Sequence, residues 1–138
     1  MIHIRMADVQ DNPEELISKG ELREGRHDLV MVAIEDDAVK GCCSMELSGT
    51  WGIINSLYIK GEDGKGDIGD GLVRSILYSA QRWGIEWAEV PLTQQTESFF
   101  RGLGFKPANE GEGNLQLSIE TFFNSCGCCV KESCTTGE

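Results

Sequence analysis

Apolar and polar positions along this chain change period several times, and each change marks an element. Leu29-Val-Met-Val-Ala-Ile34 and Ala38-Val-Lys-Gly-Cys-Cys-Ser-Met-Glu-Leu47 are apolar-rich runs separated by the acidic turn Glu35-Asp-Asp37, a pattern that predicts an antiparallel hairpin. Ile53 to Ile59 follows as the next strand. The period then lengthens: Leu72, Val73, Ile76, Leu77 and Ala80 share one helical face, predicting a helix from about Asp67 to Trp83 that stops at Gly84. Glu86-Trp-Ala-Glu-Val90 returns to strand and is broken off by Pro91. Thr96 is placed to cap a short helix through Arg101 to Leu103, and Leu115-Gln-Leu-Ser-Ile119 reads as a final strand. At the front, His3 to Met6 is a short strand. Asp11-Asn12, Pro13 and Glu14-Glu15 supply a cap, a first-turn proline and early acids for a helix ending near Gly20.

Single residues within this pattern carry structural expectations. Gly41 suits a close strand approach or a bulge. Trp83 and Trp87, flanking Gly84, are expected to bury against the sheet, whereas Trp51 at a strand entry is placed either to pack or to line a cleft. Cys42 and Cys43 alternate faces of a strand, so one is expected to be a small buried hydrophobe. His3 and His27 have no acid or cysteine at ligand spacing and are read as structural.

Composition narrows the class. With 138 residues and 40% hydrophobic content the chain supports one core, and no apolar run approaches the length of a membrane span. The start, Met1-Ile-His-Ile-Arg-Met6, lacks the apolar region and small-residue cleavage site of a signal peptide, so a cytoplasmic location is expected. A net charge of −11 argues against nucleic-acid or anionic-membrane partners, which need a basic footprint. A homodimer is left open. After Phe123 the composition turns abruptly to Cys, Gly, Ser, Thr and charge, dividing the chain into a domain over 1–123 and a cysteine-rich tail over 124–138.

The order of strand, glycine-bearing loop and amphipathic helix between Ile54 and Ala80 is suited to a phosphate-bearing cofactor. The loop runs Gly61-Glu-Asp-Gly-Lys-Gly-Asp-Ile-Gly-Asp-Gly71. N–H groups in the first turn of a helix lack intrahelical partners and, with the helix dipole, favour an anion.

On these elements the sequence resembles the Gcn5-related N-acetyltransferase (GNAT) superfamily over roughly Met1 to Ile119. The strongest parts are Ser56-Leu-Tyr-Ile59, Ile68-Gly-Asp-Gly-Leu-Val-Arg-Ser-Ile-Leu-Tyr-Ser-Ala80 and Phe99-Phe-Arg-Gly-Leu-Gly-Phe105. The resemblance implies an α/β (α+β) fold with a mixed, mostly antiparallel sheet, splayed central strands and flanking helices. It further implies acetyl-CoA as cosubstrate, with pantetheine along the backbone of Leu57, Tyr58 and Ile59. The pyrophosphate would lie on Lys65, Gly66, Asp67, Ile68, Gly69, Asp70 and Gly71. Two positions depart from the family loop: Gly64 stands where Gln or Arg is usual, and Asp67 where glycine is usual. A carboxylate about 4 Å from a phosphate costs on the order of 1–4 kcal/mol. Lys65 and Arg74 are placed to compensate; alternatively Asp67 points outward and caps the helix.

Acetyl transfer to an amine needs a proton acceptor, oxyanion stabilisation and often an acid for the leaving thiolate. The strand glutamate and terminal-helix tyrosine that many members of the family use are missing: the strand carries Ile53 and Ile54, and Phe100 occupies the tyrosine position. The replacement candidates are Glu46 as base, with Tyr58 or Ser98 near the thioester; their plainer roles are an exposed strand acid, a packing ring and a helix-surface hydroxyl. Members of the family commonly build the acceptor wall from a longer helical insertion between the first helix and the next strand, so by resemblance the short span before Leu29 favours a small acceptor or a reduced site. Thr93-Gln-Gln-Thr-Glu-Ser-Phe-Phe-Arg-Gly-Leu-Gly-Phe105 with Ile119-Glu-Thr-Phe-Phe-Asn-Ser-Cys126 is also similar to the GNAT subgroup encoded in arsenic-resistance operons.

Cys126, Cys128, Cys129 and Cys134 fall within nine residues, and thiolates bind soft ions, so the tail is a candidate site for Zn²⁺, Cu⁺ or trivalent arsenic. Their spacing is not a paired Cys-x-x-Cys signature, so redox chemistry or an unstructured end stays open beside metal binding. Two functions follow: an acetyl-CoA-dependent N-acetyltransferase acting on a small-molecule amine, or a non-catalytic GNAT-fold protein that binds an acyl-CoA or senses a soft metal or metalloid. Because the core pattern is complete by about Phe123, deleting residues 125 to 138 is expected to leave the melting temperature within a few degrees and to abolish Zn²⁺ or trivalent-arsenic binding. Calorimetry on the truncated chain checks both: unfolding would show that the tail packs into the core, and retained affinity would place the thiol site elsewhere.

Overall fold

The computed structural model describes residues 2–61, 66–94, 96–109 and 112–124. β1 (His3–Met6) leads through a 3-10 turn (Val9–Asp11) into α1 (Pro13–Lys19), followed by β2 (Leu29–Glu35), β3 (Ala38–Ser48) and β4 (Trp51–Ile59). Next come α2 (Gly66–Arg82), β5 (Trp87–Val90), α3 (Glu97–Leu103), β6 (Lys106–Asn109), β7 (Glu112–Ser118) and α4 (Ile119–Asn124). The seven strands form one sheet in the order β1-β2-β3-β4-β5-β7-β6, antiparallel throughout except for β4 beside β5.

The local chemistry accounts for the turns. Asp36 and Asp37 have φ of 53° and 65°, the left-handed pair that a two-residue hairpin requires and that Asp tolerates better than most residues. Ahead of α1 the cap expected at Asn12 is not made by its side chain, because Asn12 is itself left-handed. Asp8 and Asp11 form a reciprocal capping box one turn earlier, and Arg5 grips Asp11 through bonds of 2.8 and 3.0 Å. At α3, Thr96 gives its hydroxyl to a 2.6 Å contact with Thr93, and the Thr93 carbonyl takes the N–H of Glu97 at 2.9 Å.

The two faces of the sheet are covered differently. α2 lays Leu72, Val73, Ile76, Leu77 and Ala80, all fully buried, on one face against Met31, Cys43, Met45, Ile54, Leu57 and Ile59; Phe100 and Phe105 complete this core. α1 covers only part of the other face, where Leu16 and Ile17 pack on Val32 and Cys42 beside Tyr58. The paired cysteines therefore divide between the faces, both completely buried. Burial pushes the Cys42 thiol up to about 12, against hydrogen bonding from Ser56, and lifts Cys43 well above its ordinary range, so neither is a ready thiolate.

Three details differ from the sequence expectations. Trp83 is 72% exposed and Trp87 39% exposed: the left-handed turn at Gly84 (φ 88°) swings Ile85, 4% exposed, into the core in place of the tryptophans. β6 was not foreseen; its Pro107 lowers strand propensity and is tolerated because β6 is the sheet edge. α4 is too short for a period to show, yet it buries Ile119 and Phe122 and lays Phe122 5.0 Å from the Arg74 guanidinium.

Gly41 combines both properties expected of it. A Cβ there would lie 2.6 Å from the Tyr58 carbonyl oxygen, and β2 shifts register directly opposite, between Ala33 and Ile34. Gly41→Ala is expected to destabilise the protein by about 1–3 kcal/mol, read as a lowered urea midpoint with unchanged slope; an unchanged midpoint would show that the strands part without cost.

Candidate functional site

Two irregularities meet on β4. Its register with β3 passes from Ser44↔Ser56 to Met45↔Ile54, so Asn55 is an extra, bulged residue. On its other edge β4 pairs in parallel with β5 only through Trp51↔Trp87, Gly52↔Ala88 and Ile53↔Glu89. Pro91, which has no N–H to give a ladder, follows Val90 at once, and beyond Ile53 the two strands no longer pair. The sheet is thus notched in its middle, with the apex at Ile53 and Glu89.

The chain following α1 crosses this notch. Glu21 bridges Ser56, the Leu57 N–H donates to the Gly20 carbonyl at 2.9 Å, and the N–H groups of Leu22 and Arg23 reach the Asn55 carbonyl at 2.9 and 3.3 Å. Only glycine fits at position 20, where a Cβ would lie 2.6 Å from the Leu57 carbonyl carbon and from the Tyr58 Cβ. Ser56 ties the last turn of α1 to β4 just ahead of the strap, donating from Oγ to the Ile17 carbonyl at 3.0 Å. Because Lys60 donates its N–H to Lys40 across β3, Leu57 and Ile59 turn their backbone groups to the notched edge. Of these two, Leu57 already spends its N–H on Gly20.

Asn55 and Glu46 lie beneath the strap. Asn55 is fully buried; its Nδ2 donates to the Arg26 carbonyl at 2.7 Å and to Glu46 Oε1 at 3.3 Å, while its Oδ1 is buried with no hydrogen-bond partner among the described residues. Glu46 also accepts the Arg26 N–H at 3.2 Å, and its side chain is 17% exposed. The Asn55 amide, then the Arg26 N–H, hold its carboxyl below the ordinary value, and Gly25 packs directly over it. Such a carboxylate is an acceptor already in use, and a weakened base.

The three residues nominated for catalysis do not converge. Tyr58 pairs with Cys42 and Glu46 with Ile53, and Cys42 and Glu46 are four positions apart on β3, which separates them by about 13 Å. Tyr58 packs into the α1 cluster with the Lys19 ammonium 5.7 Å from its ring centroid, and Ser98 is exposed on α3.

The cofactor candidates fare unevenly. Gly66, Asp67, Ile68 and Gly69 form the first turn of α2, where backbone N–H groups are free of intrahelical partners, and Asp67 is exposed. Asp70 is 2.8 Å from Arg74, whose guanidinium stacks on Phe122 of α4. Arg74 sits about 12 Å up the helix from Gly66 and is directed to α4, not to the helix start as expected for a phosphate ligand. Gly71 is a packing glycine: a Cβ there would lie 2.7 Å from Ile4 Cδ1. Gly64, Lys65, Cys126, Cys128, Cys129 and Cys134 lie outside the described residues. Among the described residues no group of three or more His, Cys, Asp or Glu is placed to hold a metal. His27 is tied through Nδ1 to Ser44 Oγ at 2.9 Å.

The open face carries an acid that the sequence reading did not single out. Glu46, Ile53, Glu89, Gln116 and Lys106 are successive cross-strand partners and so share one face. Ala88 and Val90 are fully buried toward α2, so Glu89 projects to the face that α1 leaves uncovered. Asn114 Nδ2 donates to Glu89 Oε2 at 2.5 Å, and on the same face Trp51 stacks on Trp87 with centroids 5.6 Å apart. Its signal in the sequence was a lone charge between two apolar residues in a strand cut short by proline.

No family model matches the sequence, and no curated protein matches it either. Solved structures do. N-acetylglutamate synthase from Neisseria gonorrhoeae, complexed with coenzyme A and N-acetyl-glutamate, superposes with a TM-score of 0.69 at 21% identity, covering 86% of this chain and 35% of that one. PaiA N-acetyltransferase from Thermoplasma acidophilum, in complex with coenzyme A, gives 0.68 at 17% identity, and IAA acetyltransferase from Bacillus cereus gives 0.67 at 17%; each covers 86% of this chain and 99% of its own. The fold is that of the GNAT acetyltransferases. At these identities the likeness is one of architecture, and this chain spans about a third of the N-acetylglutamate synthase. The notched GNAT sheet here differs from the expectation in the strap on Leu57 and in the engaged state of Glu46.

Glu46 titrates with a measurable consequence. Its folded-state pKa lies below the ordinary 4.5, so its contribution to stability is present above that pH and is lost as pH falls through the lowered value. Glu46→Gln is expected to flatten the acid limb of the stability curve below about pH 4.5, followed by urea unfolding at successive pH values. An acid limb identical to wild type would show that the carboxylate is not held by Asn55 and Arg26.

Proposed function

We propose that this protein is an acetyl-CoA-dependent N-acetyltransferase acting on a small-molecule amine. The observation that carries the reading is the notch between β4 and β5 opening beside the start of α2. Only six residues, 60–65, join the end of β4 to Gly66, so an anion at the first turn of α2 sits next to the strand edge. A diphosphate on the Gly66–Gly69 N–H groups would leave the pantetheine arm running down β4 toward the apex. Ile59 is the first backbone position for that arm. Reaching the apex requires the Leu57 N–H to exchange Gly20 for the arm, a replacement of one hydrogen bond by another whose net cost is about 0.5–1.5 kcal/mol at most.

Coenzyme A bound in the N-acetylglutamate synthase and PaiA structures supports the choice of cosubstrate, and the N-acetyl-glutamate in the former supports a small amine as acceptor. The partly uncovered face at Trp51, Trp87 and Glu89 is where such an acceptor would enter. No helix among the described residues is long and apolar enough to cross a membrane. The Gly20 to Leu57 bond, with Phe100 fully buried in the tyrosine position, favours the second reading, a non-catalytic acyl-CoA-binding protein.

Calorimetric titration of acetyl-CoA into the full chain separates these readings from a fold that has lost its cofactor. Binding is expected to weaken with added salt, and Asp67→Asn to tighten it several-fold at low salt with the gain fading at high salt, because an exposed acid near the phosphates repels them through a screened interaction. No binding at about 1 mM acetyl-CoA would rule out both the transferase and the acyl-CoA sensor. Binding without thiol release in the presence of amines would leave the sensor.

A further inference from the structure

We propose that the cavity on the outer face of Trp87, beside the free end of β7, is a second small-molecule site whose ligand is a planar aromatic carboxylate. The strand order produces the cavity. Trp51, Trp87 and Ser118 are successive cross-strand partners on the open face, and β6 joins β7 only from Lys106↔Gln116 onward, so no strand follows Ser118 on this row. Trp51 stacks on one face of Trp87, with centroids 5.6 Å apart and planes 20° from parallel. The other face looks over a serine to the open β7 edge, which leaves Trp87 39% exposed. The space beyond the ring has a volume of about 420 Å³. Sites for small organic ligands run from about 300 to 1,000 Å³.

The walls set the chemistry. Leu103 at the end of α3, Pro107 of β6, Leu117 of β7 and Phe122 of α4 supply apolar surface around the ring. Gly104, left-handed at φ 114°, turns the chain from α3 toward β6 and puts no side chain into the opening. Lys106 stands exposed at the lip and makes no ion pair among the described residues. None of the residues lining the cavity is an acid, in a chain whose net charge is −11. A flat ring gives Trp87 the stacking partner it lacks on this side, and a carboxylate on the edge of that ring pairs with Lys106. Either feature alone selects little, because one exposed ammonium binds a free carboxylate weakly in water.

This site is separate from the notch and does not rest on the transferase reading. The notch opens between β4 and β5 beyond Ile53 and Glu89. The cavity lies on the far side of β5, two residues back along that strand, against the β7 edge. A ligand in one leaves the other open.

Equilibrium dialysis of 2-naphthoate against the full chain tests the proposal, with 2-naphthalenemethanol as the uncharged probe of the same shape. Saturable binding of one 2-naphthoate per chain is expected, undisturbed by coenzyme A. Trp87→Ala should weaken it about 10-fold. Lys106→Gln should weaken it about 3-fold at low salt, with the difference fading at high salt. The alcohol should bind more weakly than the acid and be insensitive to Lys106→Gln. Ser118→Leu lays an aliphatic side chain over the open ring face while keeping Trp87, and should abolish binding; it decides the matter where Trp87→Ala fails to fold, with the melting temperature of each variant as the check. No saturable binding of 2-naphthoate at about 1 mM overturns the proposal. Affinity unchanged in Trp87→Ala and Ser118→Leu does so too, because the probe then sits elsewhere, as does displacement by coenzyme A, which would put it in the notch. Equal affinity for acid and alcohol, or no effect of Lys106→Gln at low salt, overturns the carboxylate as the recognised group.

Discussion

The parting of β4 from β5 after Ile53 and Glu89 is the constraint on which the rest of the arrangement depends. A central strand that loses its neighbour exposes N–H and C=O groups in the middle of a sheet, and buried backbone groups left unpaired are costly. Something must take those bonds. In this protein the strap Gly20–Arg23 takes those of Asn55 and Leu57. A ligand arm with amides of its own is the other solution, and the exchange between the two is what would make the notch a binding site and not merely a defect.

The bulge at Asn55 couples the strap to the acid beneath it. One side chain donates to Glu46 and to the Arg26 carbonyl while its backbone carbonyl receives Leu22 and Arg23, so strap position and the state of Glu46 are linked through a single buried residue. The Asn55 Oδ1 is buried without a partner among the described residues, and a buried polar group left unpaired is costly. Glu46 is engaged by Asn55 and the Arg26 N–H, whereas Glu89, on the same cross-strand row, is held among the described residues through Oε2 by Asn114.

Much of the fold was legible because burial imposes period. The Leu72, Val73, Ile76, Leu77, Ala80 stripe and the Asp36-Asp37 hairpin are local signals, and both elements fall within a residue or two of where the sequence puts them. β6 and α4 were hidden because four and six residues carry no readable period and Pro107 argues against a strand. The site was less legible for a different reason. Which acid is engaged depends on cross-strand register and on what covers each face, neither of which the linear pattern carries, so the charges alone do not separate Glu46 from Glu89, although both sit on one row across the sheet. The direction of Arg74 likewise follows from α4, an element the sequence did not disclose.

The central claim is that the notch accepts acetyl-CoA by exchanging backbone bonds along β4. Amide hydrogen exchange of the full chain, with and without coenzyme A, tests this directly. The account predicts that coenzyme A newly protects the Ile59 amide and the first-turn amides of α2, and that Leu22 and Arg23 lose protection as the strap yields. Unchanged exchange in residues 20–23, 57–59 and 66–69 at saturating coenzyme A would contradict it.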